Sequence, residues 1–93
     1  MYKIEMTSCF KRGLKRLVKR HKDIDKLQNV VDKLSAGKKL EAKYKDHQLT
    51  GVLKDYRDCH IEPDWILIYR IYKDKLVLSL TETGSHQEVF KNK

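Results

Sequence analysis

The chain has 93 residues, 40% of them hydrophobic and 37% charged, with a formal net charge of +8. A chain of this length buries only roughly 60–65% of its unfolded surface, which allows one modest core and predicts a single domain over residues 1–93. No run approaches the ~20 apolar residues that cross a bilayer, the opening MYKIEMTSCF lacks a secretory-signal pattern, and Cys9 and Cys59 form no CxxC pair, so a reduced cytoplasmic protein is expected.

YKIEM, residues 2–6, alternates in character and predicts a short strand. Ser8 suits the cap of the helix that follows. Phe10, Leu14, Leu17, Val18 and His21 recur at helical spacing and predict its buried face, while Lys11, Arg12, Lys15, Arg16, Lys19 and Arg20 fill the other positions. Gly13 should cost this helix ~1 kcal/mol relative to alanine. Between Cys9 and Lys22 there are seven Lys or Arg and no acid, whereas the rest of the chain has 14 basic against 13 acidic residues. The charge excess therefore belongs to one helix, either as a solvated face or as a surface for a polyanion or an acidic partner.

Asp23 is suited to cap a second helix, with Ile24, Leu27, Val30, Val31 and Leu34 on its buried face and Gly37 just past its end. The short connection predicts an antiparallel helical hairpin. Residues 38–50 read as polar and irregular. Residues 52–56, continuing to 61, read as a strand. WILIYRIY, residues 65–72, is apolar on both faces and predicts a central strand. A turn at 73–75 leads to an antiparallel return over 76–82, and TGSHQEVF holds a glycine break and one helical turn that brings Phe90 back to the core. The expected class is α+β: an N-terminal strand, a helical hairpin, then an antiparallel meander with the helices on one face.

His21 falls near a helix C-terminus, where a polar or positive group is favourable, and reads as structural. His47, His60 and His86 are different. In an antiparallel meander the ends of the first and third strands share an edge, so the pattern brings His60 and His86 together, with Asp58 on the same strand face as His60. Histidines grouped on a basic protein suit metal-free RNA cleavage, in which one group takes the 2′-hydroxyl proton and another protonates the departing 5′-oxygen. Arg57 or Lys54 would serve the phosphate, and Trp65 or Phe90 would stack a splayed base. The alternatives are solvated polar residues at strand ends, a core role for both aromatics, and a turn role for Asp64 after Pro63. A metal centre is disfavoured: Cys59 and His60 are adjacent and point to opposite faces of an extended strand, with no CxxC or HExxH pair.

The runs KYKDHQLTGVLKDYRDCHIEPDWILIY and TETGSHQEVF resemble the YafQ family of bacterial toxins, within the RelE/ParE superfamily of toxin–antitoxin modules. The resemblance covers nearly the whole chain and is sharpest at KDHxLxG, YRDxHIxPDWxLIY and TGSHxxxF. It implies a RelE-like fold and a ribosome-dependent endoribonuclease that cuts translated mRNA in the ribosomal A site, inhibiting translation and growth without metal or cofactor. His47, Asp58, His60, Asp64, Trp65, His86 and Phe90 fall on its motif positions. By the same resemblance His86 lies closest to the proton transfer, His47 and His60 assist or orient, and Asp58 and Asp64 hold histidines or substrate.

One departure stands out. Many relatives have arginine directly before the TG of TGSH, where this chain has Glu82; either Arg57 or a lysine covers that role, or the enzyme is slower or differently specific. The implied partners are the ribosome with its mRNA, contacted through the basic first helix, and a DinJ/RelB-like antitoxin whose acidic tail wraps the toxin in a hetero-oligomer. The ParE branch supplies the alternative, a toxin that binds DNA gyrase without cutting RNA, and it needs no histidine constellation.

Overall fold

The apolar run of residues 65–72 becomes the middle strand of a five-stranded sheet in the computed structural model, which describes residues 1–91. The elements run β1 (Lys3–Met6), α1 (Ser8–Lys19), α2 (Ile24–Ser35), β2 (His47–Gln48), β3 (Arg57–Glu62), β4 (Trp65–Tyr72), β5 (Val77–Gly84) and α3 (His86–Phe90). Short 3₁₀ turns, Ala42–Tyr44 and Gly51–Leu53, flank β2. The strand order is β1-β5-β4-β3-β2; β1 runs parallel to β5 and every other pairing is antiparallel.

Because side chains alternate along a strand, β4 feeds two layers at once. Trp65, Leu67 and Tyr69 join the main core with Phe10 and Leu17 of α1 and Leu27, Val30, Val31 and Leu34 of α2. Ile66 and Ile68 face the other way and pack with Val89 of α3, with Leu49, Tyr56 and Phe90 around them. The α+β class holds, but the helices do not all share one face. A strand apolar on both sides needs cover on both, and α3 covers part of the side that α1 and α2 leave open.

Several local expectations are corrected by tertiary contacts. The first helix is capped by Thr7 rather than Ser8: Thr7 Oγ1 accepts from the Phe10 amide at 3.0 Å and donates to the Thr81 carbonyl at 2.6 Å, so it ties α1 to β5 as well. Asp23 does cap α2, and Gly37 follows its end with φ 77°. Val18 is exposed and His21 lies beyond α1 with φ 59°, so neither belongs to the buried stripe. Gly13 belongs to it instead. A Cβ there would meet the Thr83 carbonyl oxygen at 2.2 Å, so the residue that weakens the isolated helix is what lets α1 lie against β5.

Residues 52–56 are not strand: they hold most of the second 3₁₀ turn, Val52 is exposed, and β3 starts at Arg57. The last strand is Val77–Gly84 rather than 76–82, with Leu76 in the turn at φ 55°. The stretch expected to be irregular contributes β2, two residues paired antiparallel with β3.

Candidate active site

The face of the sheet away from α1 and α2 gathers the polar residues of β2 and β3. His47 pairs with Asp58 across β2 and β3, and Asp58 and His60 stand opposite Ile68 and Ile66 of β4. Ile66 in turn pairs with Gly84 at the end of β5, two residues before His86. The meander thus closes His60 on His86 as the spacing implies: their rings meet edge to face with centroids 5.2 Å apart at 66°. Phe90, four residues along α3, lies 6.2 Å from the His86 ring.

The hydrogen bonds of two histidines settle which ring nitrogen is free. His86 Nδ1 lies 2.9 Å from Asp64 Oδ1, an atom that also accepts the His86 backbone N–H at 3.0 Å. A carboxylate oxygen only accepts, so Nδ1 carries a proton and Nε2 of the neutral ring has a lone pair. These two bonds hold the exposed Asp64 carboxyl below its usual range, the backbone bond contributing most. His47 Nδ1 lies between the Lys45 carbonyl at 2.8 Å and Asp58 Oδ1 at 3.1 Å, both acceptors, so it too is a donor and leaves Nε2 free. The single N–H aligns with Lys45. Asp58 Oδ1 keeps an ion-pair distance but no aligned hydrogen bond.

Asp58 is buried, and that burial raises its carboxyl pKa, opposed by the nearby His47, His60 and His86. A buried carboxylate beside three imidazoles places proton donors and acceptors together, as an acid–base site needs.

His86 sits on a five-residue helix that is anchored from outside. Ser85 and Glu88 form a reciprocal capping box, and Glu88 is gripped by Arg20 at 2.9 and 2.6 Å, with Arg16 at 3.2 Å. The Arg20 hydrogen bonds, then the Ser85 amide, bring the Glu88 carboxyl down to about 2. Two of the six basic positions expected to face a partner, Arg16 and Arg20, are therefore committed to holding α3; Lys11, Arg12, Lys15 and Lys19 remain on the exposed face.

Two expected substrate contacts lie elsewhere. Trp65 is 1% exposed, and its indole N–H donates to Thr83 Oγ1 at 3.0 Å, so it offers no ring face to a base. Arg57 is on the opposite sheet face, where its Nε donates to Asp46 Oδ1 at 3.2 Å beside the Tyr69 hydroxyl, 2.6 Å from the same oxygen. Lys54 is exposed at the second 3₁₀ turn, its carbonyl accepting from the Gln48 amide.

An arginine that the sequence reading passed over is on the histidine face: Arg70 lies over the Tyr72 and Tyr56 rings at 4.4 and 5.6 Å. Its even position in β4, in step with Ile66 and Ile68, was the available signal. Among the described residues, no three His, Cys, Asp or Glu side chains converge in an arrangement that would hold a metal ion.

Residues 2–91 match the family model described as the bacterial toxin of type II toxin–antitoxin systems, YafQ. The mRNA interferase toxin YafQ of Escherichia coli K12 is 46% identical over 88 residues, 94% of each chain. A crystal structure of the E. coli DinJ–YafQ complex superimposes with a TM-score of 0.88 at 41% identity, covering 97% of this chain and 99% of that one. A metal-bound toxin from Helicobacter pylori gives a TM-score of 0.92 at 46% identity, over 97% of this chain and all of the other.

Proposed function

The chain belongs to the YafQ family of bacterial type II toxins, and we propose that it is an mRNA interferase, a ribosome-dependent endoribonuclease that cleaves translated mRNA in the A site. The observation that carries this reading is the pair of histidines, His47 and His86, each tied at Nδ1 to an oxygen acceptor and each presenting a free Nε2. His60 stands ring to ring with His86.

In this reading the RNA 2′-hydroxyl gives its proton to one imidazole and its oxygen attacks the adjacent phosphorus. The bond from phosphorus to the 5′-oxygen breaks, and that oxygen takes a proton from a second, protonated imidazole. The products are a 2′,3′-cyclic phosphate and a 5′-hydroxyl. His86 acts at the reacting oxygen, His60 and His47 supply or relay the second proton, Asp64 fixes the His86 tautomer, and Asp58 stands against His47. Phe90 is the aromatic available to a splayed base, and Arg70, with Lys54, supplies positive charge for the phosphate.

The partners follow the same proposal. The solved complex of the E. coli relative contains an antitoxin, DinJ, and a cognate acidic antitoxin would meet the exposed cations Lys11, Arg12, Lys15 and Lys19, which also suit ribosomal RNA. The site of action would be the cytoplasm, where translation occurs; no helix among the described residues is long and apolar enough to cross a membrane.

The test is incubation of the antitoxin-free protein with a translated mRNA, with and without ribosomes. Cleavage only with ribosomes, leaving 5′-hydroxyl ends, is the expected result. Intact RNA in both cases, together with inhibition of DNA gyrase, would replace this reading with a ParE-like one.

A further inference from the structure

Beside His60 the fold leaves a cleft of about 400 Å³ between α2, the first 3₁₀ turn and the end of β3. That volume falls in the ~300–1,000 Å³ range of small-ligand sites and is large enough for one nucleotide. Lys26 and Asn29 line it from α2, Lys43, Tyr44 and Lys45 from the turn, and His60 from the strand. Glu62 also reaches it, but its carboxylate is held by Lys22 and Lys26 at 2.8 Å each. Lys43 and Lys45 make no salt bridge among the described residues, so the lining stays positive. The side chain of Asn29, exposed on α2, makes no hydrogen bond among the described residues and offers both donors and an acceptor.

The cleft is joined to the histidines by one residue. Lys45 adopts a left-handed conformation, φ 50°, and its carbonyl meets His47 Nδ1 at 2.8 Å while the residue also lines the cleft. His60 forms part of the wall and meets the His86 ring at 5.2 Å on its other side. A group seated here is one ring away from the proposed reaction centre.

We infer that this cleft is the subsite for a nucleotide flanking the cleaved bond, with Lys43 and Lys45 on its phosphate and the Asn29 amide on the edge of its base. The inference rests on the endoribonuclease reading above. The chemistry matches single-stranded RNA: cations follow the backbone, and an amide reads an exposed base edge with a bidentate donor–acceptor pair.

The first test does not need catalysis. The isotope-labelled full chain is titrated with a 2′-O-methyl hexaribonucleotide, which cannot be cut because the attacking hydroxyl is blocked. Amide resonances of Asn29, Tyr44, Lys45 and Ile61 are expected to shift, and the Lys43→Ala/Lys45→Ala double variant to bind about tenfold more weakly. Both altered side chains are exposed, so the fold is retained.

In ribosome-programmed cleavage, Asn29→Ala is expected to redistribute the cut positions, with base discrimination at one site falling about tenfold. Shifts confined to α1, no shift at millimolar oligonucleotide, or an unchanged cut distribution would overturn the inference. If the parent protein cuts RNA and the cleft variants match it, this inference alone fails. If the oligonucleotide binds in the cleft but the parent cuts nothing, the nuclease reading fails and the nucleotide site stands.

Discussion

Arg20 at the end of the basic helix and Glu88 in the last helix, 68 positions apart, meet through two parallel hydrogen bonds of 2.9 and 2.6 Å. The pair makes part of the basic surface a structural clamp on the element that carries His86. Glu88 titrates near 2 in the folded chain, below its ordinary value of 4.5. A depressed carboxyl contributes its stability in full above the ordinary value and loses it as pH falls through the folded one. Amide protection factors in α3, which correct for the intrinsic pH dependence of exchange, should therefore fall as pH drops from about 4.5 to 2. Glu88→Gln should lower that protection about tenfold at neutral pH and flatten the profile. An unchanged profile in the variant would show that the clamp does not order α3.

His86→Ala should lower cleavage by about 10²–10⁴-fold, the usual weight of a proton-transfer group. Asp64→Asn keeps an acceptor oxygen for the His86 ring and should cost only about tenfold. Single-turnover cleavage of ribosome-bound mRNA separates the two. Equal losses would mean that Asp64 does more than orient.

Asp58→Asn should separate stability from activity. Burial raises the folded pKa of Asp58 above its ordinary 3.8, so the charged form costs stability; that cost is absent below the ordinary value and builds as pH rises through the folded one. The variant should be more stable at neutral pH, with the difference vanishing below the ordinary carboxyl value, and should cleave at least about tenfold more slowly. Urea unfolding across pH checks the first expectation; a less stable variant at neutral pH would refute it.

Gly13→Ala sets helix propensity against packing. Propensity alone predicts a gain of ~1 kcal/mol, whereas the 2.2 Å approach to the Thr83 carbonyl predicts a loss of ~3 kcal/mol. For a chain of this size that loss lowers the melting temperature by roughly 12–24 °C. Thermal unfolding gives the sign directly.

Glu82 pairs with Ile68, which pairs with Asp58, which pairs with His47, so all four stand in one row across the sheet. Glu82→Arg puts a cation in that row and should raise cleavage by about tenfold or more. If the rate does not rise, Arg70 or a lysine already meets the phosphate's need.

Much of this was legible in the chain itself. The double-sided apolar pattern of residues 65–72 marked the central strand because such a run is stable only with cover on both faces. Antiparallel return over short turns was enough to bring His60 to His86, since strand direction alone decides which ends meet. The spacing of Ile24, Leu27, Val30, Val31 and Leu34 marked the buried stripe of α2; the last four are buried and Ile24 is half-buried against the same core.

The remaining features depend on contacts between distant segments, which local pattern does not encode. Thr7 displaced Ser8 as cap because the Thr81 carbonyl was within reach, and residues 52–56 gave up strand for a 3₁₀ turn that leads into the sheet at Arg57. Composition marked Trp65 as aromatic and Arg57 as cationic, but alternation from the start of each strand decided which side each faced. Sequence by itself thus determined the two long helices, the central strand, the α+β class and the meeting of two histidines. Only the tertiary structure decided which ring nitrogens are free, which cations are occupied and why Gly13 is glycine, because each is set by atoms brought together from opposite ends of the chain.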